Sequence, residues 1–177
     1  MKQPEDIQIK FLHFKDDGAI PNNPSYPLLL YKDVITSGDD AKAVLTENNW
    51  LGAWRGSVAP FHHYHSNSHE VLIVVSGSAQ LHLGGEQGNQ VQAEQGDTVI
   101  LPAGVGHKLL DGSTDFAVIG AYPNGKRYDF CYGKAEERPA NVTNIKNVPL
   151  PDTDPLFGKN GPLFSYWRND KSGGAKV

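Results

Sequence analysis

The fold of this chain is decided by the stretch Phe61-His62-His63-Tyr64-His65-Ser66-Asn67-Ser68-His69-Glu70, which leads into the apolar run Val71–Val75. Four of the seven histidines fall within these ten residues, and a carboxylate closes the stretch. Imidazole and carboxylate groups are common ligands of divalent transition metals. A fifth histidine, His107, follows the tight turn sequence 101–106. We therefore interpret the rest of the chain as a β-scaffold that brings His107 to the first cluster.

The spacing within the stretch favours a shared metal site. His63 and His65 are separated by one residue, and on a strand this spacing places both side chains on the same face. Glu70 follows a turn-forming Ser-Asn-Ser segment that can bring its carboxylate back beside the pair. Three imidazoles, including that of His107, and one carboxylate would hold one divalent metal and leave room for water or substrate. Iron, manganese, nickel, zinc and copper all accept such a set, so the identity of the metal is left open.

The other histidines of the chain have different expected roles. His69 is an alternative ligand, or a neighbour of the ligands, because it lies close to His65 in the sequence. His62 and Tyr64 alternate with the histidine pair, so their side chains should face away from the metal. His82 is expected on the surface of a strand.

Short apolar segments separated by glycine- and proline-rich turns predict an all-β fold. The run Val71–Val75 is almost purely β-branched and aliphatic, which is typical of a strand buried on both faces. One helix is predicted from Ala41 to about Asn49, after the capping residues Asp39 and Asp40. The other predicted strands are Ile7–Phe14, Leu28–Tyr31, Ala79–Leu83, Val91–Ala93, Thr98–Leu101 and Phe116–Tyr122, with a weaker indication around Trp54–Val58.

The chain is predicted to form one domain with three parts. Residues 1–36 contain N-terminal strands, 37–122 contain the barrel with its preceding helix, and 123–177 form a tail rich in proline and aromatic residues. We expect the tail to be extended and packed over the barrel, with one helical turn near Ala135–Arg138. Its aromatic residues argue against disorder.

Composition excludes several classes of function. The 177 residues carry a formal net charge of -4 without a basic patch, which argues against a nucleic-acid or anionic-membrane partner. The N-terminal sequence has no apolar core typical of a signal peptide, and no apolar run approaches the length of a membrane span. A single cysteine, Cys131, excludes an internal disulfide framework and is more typical of a buried small side chain than of a nucleophile. We expect a cytoplasmic protein.

Two spaced motifs resemble those of the cupin superfamily. They read His63-x-His65-x4-Glu70-x6-Gly77 and Gly96-x5-Pro102-x-Gly104-x2-His107-x3-Asp111. Two positions depart from the cupin pattern, since Ser57 stands where the first motif opens with glycine and Asp111 where the second closes with asparagine. Neither is an implied metal ligand. The rest of the chain is similar to a group of single-domain bacterial cupins without assigned function, the YjlB-like proteins.

The resemblance implies a jelly-roll β-barrel (a double-stranded β-helix) of six to eight strands. It implies His63, His65, Glu70 and His107 as the ligands of one divalent transition metal. It also implies a homodimer, for which the N-terminal strand is the natural segment to exchange between protomers. Residues that could line the mouth of the pocket are Lys108, Tyr122, Tyr128 and Arg127.

The function implied by this resemblance is a metal-dependent enzyme on a small organic molecule. Dioxygenase, isomerase and decarboxylase reactions all occur on cupin scaffolds, with Glu70 or a nearby acid moving a proton. The alternatives are a binding or sensing module without turnover and a structural protein with incidental metal binding. Fold and ligand set do not choose among reactions.

Overall fold

Two antiparallel β-sheets make up most of the molecule, for which a computed structural model describes residues 1–168. The larger sheet has six strands in the order β1-β2-β7-β4-β9-β3, and the smaller has three in the order β6-β5-β8. The strands are β1 (Gln8–Leu12), β2 (Leu28–Lys32), β3 (Trp50–Gly56), β4 (Glu70–Ser76), β5 (Ser78–Leu83), β6 (Asn89–Glu94), β7 (Thr98–Leu101), β8 (His107–Gly112) and β9 (Ala117–Pro123). The α-helices are α1 (Ala41–Glu47), α2 (Ala140–Asn147) and α3 (Leu163–Trp167).

The all-β prediction is confirmed. One strand of the smaller sheet, β8, does not alternate apolar and polar residues as most strands do. Leu81 of β5 pairs with Leu109 of β8, whereas the residue before it, Gln80, pairs with Asp111 of β8. Leu110 is therefore the extra residue of a β-bulge, and its side chain is 38% exposed. Because a bulge interrupts the alternation of apolar and polar residues, the sequence of β8 does not have the pattern of a strand.

The core of the barrel lies between the two sheets. Alternate residues of β2 and β4 point to opposite sides of the larger sheet, as the pleat of a strand requires. Leu72 and Val74 belong to the cluster between the sheets, whereas Val71 and Ile73 pack on the outer face with residues of α1 and α3. The prediction that this strand is buried on both faces is confirmed. Glu70 has the same parity as Leu72, so its side chain is directed toward the barrel interior.

The prediction of an extended C-terminal tail was wrong for two segments, which form α2 and α3. Prolines occupy the N-cap positions of both helices, Pro139 and Pro162. A proline at the start of a helix removes no helical hydrogen bond, so the prolines that indicated extended chain mark helix starts instead. The predicted helical turn is present as a 3₁₀ turn, Ala135–Glu137. None of the helices within residues 1–168 has the length and apolar character needed to cross a membrane.

The tail packs on the outer face of the larger sheet, and a buried carboxylate anchors it. Asp154 is fully buried and accepts a hydrogen bond from the Tyr31 hydroxyl of β2 at 2.6 Å. It also accepts the backbone N–H groups of Leu156, Phe157 and Leu163. One side chain thereby joins two turns of the tail to the sheet. Residues 169–177 of the predicted tail lie outside the described part of the chain.

The N-terminal strand β1 lies at the edge of the larger sheet. It pairs with β2 of its own chain from Gln8↔Lys32 to Leu12↔Leu28. An edge strand leaves one row of backbone groups available for pairing. Exchange of this strand in a homodimer stays a prediction.

Candidate metal centre

The segment between β3 and β4 positions His63 and His65. His63 exchanges backbone hydrogen bonds with His107, and Tyr64 does so with Cys131. These two bridges hold the segment extended, although it is not part of a regular strand. His63 and His65 therefore face the same side, as their spacing predicts, while Tyr64 is buried on the opposite side and its hydroxyl accepts a hydrogen bond from Asn141.

The turn before β8 places His107 against this segment. Gly104 has φ +90, a backbone conformation that residues with a Cβ rarely adopt. Its N–H donates to the His65 carbonyl oxygen at 2.7 Å, so the turn is bonded directly to the histidine segment. His107 is the first residue of β8, and it pairs with Leu83 of the barrel core. The glycine thus brings two distant segments into contact.

Three imidazoles and one carboxylate converge inside the barrel. One ring nitrogen from each of His63, His65 and His107 lies within 4.8 Å of the other two. The Nε2 atom of His65 is 3.1 Å from Glu70 Oε2, and that of His107 is 3.6 Å from Glu70 Oε1. All four residues are at least 95% buried. The structure therefore brings together all four side chains of the predicted ligand set.

Backbone carbonyl groups select the same tautomer in the three rings. The Nδ1 atoms of His63 and His107 each lie 3.0 Å from a carbonyl oxygen, that of Phe61 and Val105 respectively. The Nδ1 atom of His65 is hydrogen-bonded to the carbonyl oxygen of Asp129. Since a carbonyl can only accept, each Nδ1 carries the proton, and each neutral ring keeps a lone pair on Nε2. This is the arrangement in which histidines bind metals with their second nitrogen fixed by a partner.

The electrostatics of the cluster favour a single positive charge. Burial, and then the charge of His63, lowers the pKa of His107 to about 3. Burial also lowers the pKa of His63. For His65 burial acts in the same direction, but the hydrogen bond and charge of Glu70 outweigh it and raise the pKa. Burial alone would raise the pKa of Glu70, yet its bonds to His65 lower it. One proton or one cation is therefore balanced by the carboxylate, whereas three charged imidazoles are not.

The donor set fits a divalent cation. The Nε2 atom of His107 is buried and has no hydrogen-bond partner in the described part of the chain. A buried acceptor without a partner costs about 1–3 kcal/mol, and a metal ion at the centre of the cluster would satisfy it. Imidazole nitrogens with one carboxylate suit zinc, iron, nickel, copper and manganese. The buried triad is thus capable of holding an ion.

The four residues line a cavity of about 170 Å³. Its other walls are mostly apolar and aromatic. The ring of Phe130 stacks on His63 with centroids 4.7 Å apart, and the ring of Tyr128 contacts His65 at 4.8 Å. Tyr122 stacks on Tyr128, and its hydroxyl accepts a hydrogen bond from the indole N–H of Trp54 at 2.8 Å and lies near Glu70. Tyr122 and Tyr128 therefore lie where the sequence suggested.

His69 and Lys108, also candidates from the sequence, lie outside this cavity. The Nδ1 atom of His69 accepts the Ala103 N–H at 2.9 Å, and its Nε2–H donates to the Pro149 carbonyl at 3.0 Å. Both nitrogens are therefore used in the fold, and burial lowers the pKa of the ring to about 4. Lys108 pairs with His82 on the outer side of the smaller sheet. His69 instead borders a larger groove of about 540 Å³ that is lined by several asparagines.

Two residues of the site, Asp129 and Phe130, carry no motif in the sequence. The backbone carbonyl of Asp129 orients His65, and its carboxylate accepts the N–H and hydroxyl of Ser66. Phe130 covers His63. The alternation of aromatic residues at positions 128, 130 and 132 is the one signal that indicated a shared face. That these residues face His63 and His65 follows only from the bridge between Tyr64 and Cys131.

Two facing antiparallel sheets that enclose a cluster of three histidines and a glutamate define a cupin. The comparisons with known proteins agree, since residues 54–119 match the family described as "Cupin domain". The chain is also 47% identical over 154 residues to "Uncharacterized protein YjlB" of Bacillus subtilis (strain 168), covering 87% of this chain and 93% of that protein. The chain belongs to this family of cupins.

The solved structures to which the chain is similar are much more distant in sequence. A protein with a double-stranded beta-helix domain from Klebsiella pneumoniae subsp. pneumoniae MGH 78578 is 12% identical, with 76% of this chain and 85% of that chain covered and a TM-score of 0.37. Oxalate decarboxylase of Bacillus subtilis is 17% identical, with 63% and 29% covered and a TM-score of 0.37. WlaRA, a TDP-fucose-3,4-ketoisomerase from Campylobacter jejuni, is 14% identical, with 71% and 89% covered and a TM-score of 0.40. Identities at this level carry no substrate over to this chain.

Proposed function

We propose that the chain holds one divalent transition metal on the imidazoles of His63, His65 and His107 and the carboxylate of Glu70. We further propose that it uses this centre as an enzyme on a small organic molecule. The observation that carries the proposal is the common tautomer of the three rings, because it presents three Nε2 lone pairs to one point beside a carboxylate. Such a set leaves coordination positions open on a five- or six-coordinate metal.

The residues around the centre would orient the carboxylate and handle protons. When bound, the metal would supply a Lewis-acidic centre for dioxygenase-type or isomerase-type chemistry. The Tyr122 hydroxyl accepts from Trp54 and faces Glu70, so it is placed to donate to the carboxylate and to orient it. Burial, and then the charge of Glu70, raises the pKa of Tyr122, so the hydroxyl stays protonated. Glu70 is the one carboxylate among the described residues that line the cavity, and we assign any proton transfer to it.

The cavity restricts the substrate by size and by charge. A volume of about 170 Å³ corresponds to roughly five or six water molecules at liquid density. Its described lining contains no lysine or arginine, so a phosphate or a second carboxylate would have no cationic partner there. Aromatic and aliphatic walls, including Trp54, Leu72 and Phe130, favour an apolar body. We therefore propose a small neutral substrate, or the neutral end of a larger one, with one polar group that reaches the metal.

Ligand binding without turnover is the second candidate function. The specific observation in its favour is that Glu70 is both a proposed metal ligand and the one acid lining the cavity. A ligand carboxylate is less available as a base, and Tyr122 stays protonated. A site with this composition could retain a small molecule without transforming it.

Metal analysis tests the first part of the proposal. Protein made without a histidine tag and dialysed to remove weakly held ions should contain about one equivalent of transition metal per chain. The double change His63→Ala and His107→Ala should abolish this content. His13→Ala is the matched control, because His13 is an exposed histidine outside the cluster, and it should leave the content unchanged. Metal that survives the double change in folded protein would refute the proposed centre.

Turnover is tested on the metal-loaded protein. Oxygen uptake and product formation are measured against a panel of small acids, thiols, catechols and neutral ketones. Neutral apolar members should be consumed or bound in preference to dianionic ones. Saturable binding without product would favour the second candidate, and preference for dianions would contradict the proposed selectivity.

A further inference from the structure

A second cluster of metal-ligating side chains lies on the outer side of the barrel. It consists of His62, His82 and Glu86, which offer two imidazole nitrogens and a carboxylate oxygen within 4.8 Å of one another. From this geometry we infer a second, exchangeable zinc site, separate from the centre inside the barrel. It does not depend on the proposed function, because it shares no ligand with that centre.

Three different segments supply the cluster, and the folding of the smaller sheet brings them together. His82 lies on β5, where it pairs with Lys108 while the next residue, Leu83, pairs with His107. Neighbouring residues of a strand face opposite sides, so His82 is directed away from the barrel interior. Glu86 lies in the turn between β5 and β6. His62 directly precedes His63, the first proposed ligand of the centre inside the barrel.

The contacts within the cluster already resemble those of a binding site. The Nε2 atom of His62 lies 2.9 Å from Glu86 Oε2, and the rings of His62 and His82 are 4.8 Å apart in an edge-to-face arrangement. The Nδ1 atom of His62 is buried and has no hydrogen-bond partner within residues 1–168. A buried nitrogen without a partner, on a ring that also contacts Glu86 and His82, is the observation that points to a cation.

The charge and mobility of Glu86 suit an exchangeable site. Its hydrogen bond to His62, followed by the charge of that ring, lowers the pKa of Glu86, so the carboxylate is ionised at neutral pH. Its side chain is 81% exposed and therefore free to move. Ligand atoms on a tetrahedral zinc lie about 3.3 Å apart, so the three groups, now within 4.8 Å of one another, would have to approach more closely to share an ion. The charge of Lys108 also acts on this carboxylate and should keep the affinity for a cation moderate.

Two imidazoles and one carboxylate are a donor set that Zn²⁺ accepts, with the remaining position taken by water. His82 is only 8% exposed, so the prediction that it lies on the strand surface was wrong, but the third ligand, Glu86, is 81% exposed. The ion would therefore be open to solvent on the Glu86 side, and it should exchange and be lost on dialysis against a chelator. This property separates the outer site from the buried centre. It also makes the outer site visible as an additional, weaker step in a titration.

The experiment is a Zn²⁺ titration of the His63→Ala/His107→Ala protein, in which the barrel centre is disabled. One equivalent of Zn²⁺ should bind per chain, as measured by calorimetry. Circular dichroism should show that the protein remains folded. Adding His82→Gln or Glu86→Gln should weaken this binding by about tenfold or more. His62 is left unchanged because it is adjacent to a barrel ligand. His13→Ala added to the same protein is the control and should have no effect.

Two outcomes would overturn the inference: no zinc binding by the double variant, or binding that His82→Gln and Glu86→Gln leave unchanged. Failure of the proposed function gives a different result. In that case the wild-type protein would lack the dialysis-resistant metal but would still bind one exchangeable zinc that Glu86→Gln removes. Glu86 is exposed, so Glu86→Gln is the variant that keeps the test valid if His82→Gln does not fold.

Discussion

We predict that His69 stabilises the fold and does not bind the metal, and its replacement tests this assignment directly. Its ring is 1% exposed and joins the turn at Ala103 to the C-terminal segment at Pro149. It also contacts the rings of Trp167 at 4.9 Å and Tyr26 at 5.9 Å. His69→Ala should therefore weaken the attachment of the C-terminal segment to the barrel. It should leave the metal content of folded protein unchanged.

The magnitude follows from these contacts. The Ala103 N–H would be left buried without an acceptor, which costs about 1–3 kcal/mol, and the bond to Pro149 is worth about 1 kcal/mol more. Loss of the aromatic contacts adds about 1–2 kcal/mol. We expect the free energy of unfolding to fall by about 3–6 kcal/mol in total. For a domain of this size each kcal/mol lowers the melting temperature by about 2–4 °C, so the decrease should be about 6–24 °C.

The measurement is urea denaturation of metal-free protein, together with metal analysis of the folded variant. His63→Ala is the comparison, and its metal should be lost. The stability of the metal-free protein should fall by about 2–3 kcal/mol, because the ring makes one hydrogen bond, to Phe61, and stacks on Phe130. The side-chain amide of His69→Gln can replace the bond to Pro149 or the bond from Ala103 but cannot reach both positions of the ring nitrogens, so its stability should be intermediate. If folded His69→Ala loses its metal, or is destabilised by less than about 1 kcal/mol, the structural assignment of His69 is wrong.

Three further predictions concern the scaffold. Asp154→Ala removes the acceptor of one hydroxyl and three N–H groups, so it should lower the free energy of unfolding by about 3–5 kcal/mol in urea denaturation. Burial raises the pKa of the Cys131 thiol to about 12. At pH 8 only about one thiol in ten thousand is then ionised, so iodoacetamide should label native protein far more slowly than urea-unfolded protein, as measured by mass spectrometry. Gly104→Ala places a Cβ 2.5 Å from the Asn22 carbonyl oxygen at φ +90, so it should reduce both the melting temperature and the metal content.

Each of these three predictions has an outcome that would contradict it. Unchanged stability of Asp154→Ala would mean that the tail is held by its aromatic residues alone. Equal labelling of native and unfolded protein would mean that Cys131 is accessible. For Gly104, the exposed Gly38 has nothing within 4 Å of an added Cβ, so Gly38→Ala is the control and should be neutral.

The ligand set of the candidate site could be predicted because its information is local. A one-residue spacing places His63 and His65 on one face in any extended segment, whatever the rest of the fold. The turn before His107 is likewise recognisable from its glycines and proline. The strands that carry apolar alternation, such as β5, follow from the same rule. These elements depend on neighbouring residues only, and the sequence contains all that is needed to identify them.

Other features depend on contacts between distant segments. The bulge at Leu110 prevents recognition of β8 from the sequence, because only the pairing with β5 defines this strand. The helices α2 and α3 have eight and five residues, too short to be stable without the surface on which they pack. The aromatic wall formed by Tyr128 and Phe130 faces the histidines only because Cys131 pairs with Tyr64.

The amino-acid order alone determined which side chains are suited to hold a metal, since donor chemistry and strand parity are properties of a short stretch. The tertiary structure decided which of them are free to do so. Glu70 and His69 are adjacent residues, and both side chain types are common metal ligands. The two ring nitrogens of His69, however, are hydrogen-bonded to groups 34 and 80 residues away, so neither is left for a cation. In His63, His65 and His107, by contrast, a backbone carbonyl accepts a hydrogen bond from Nδ1, and Nε2 is directed toward the interior of the barrel. The physical reason is that a ring nitrogen has one lone pair or one proton, and the fold determines which group uses it.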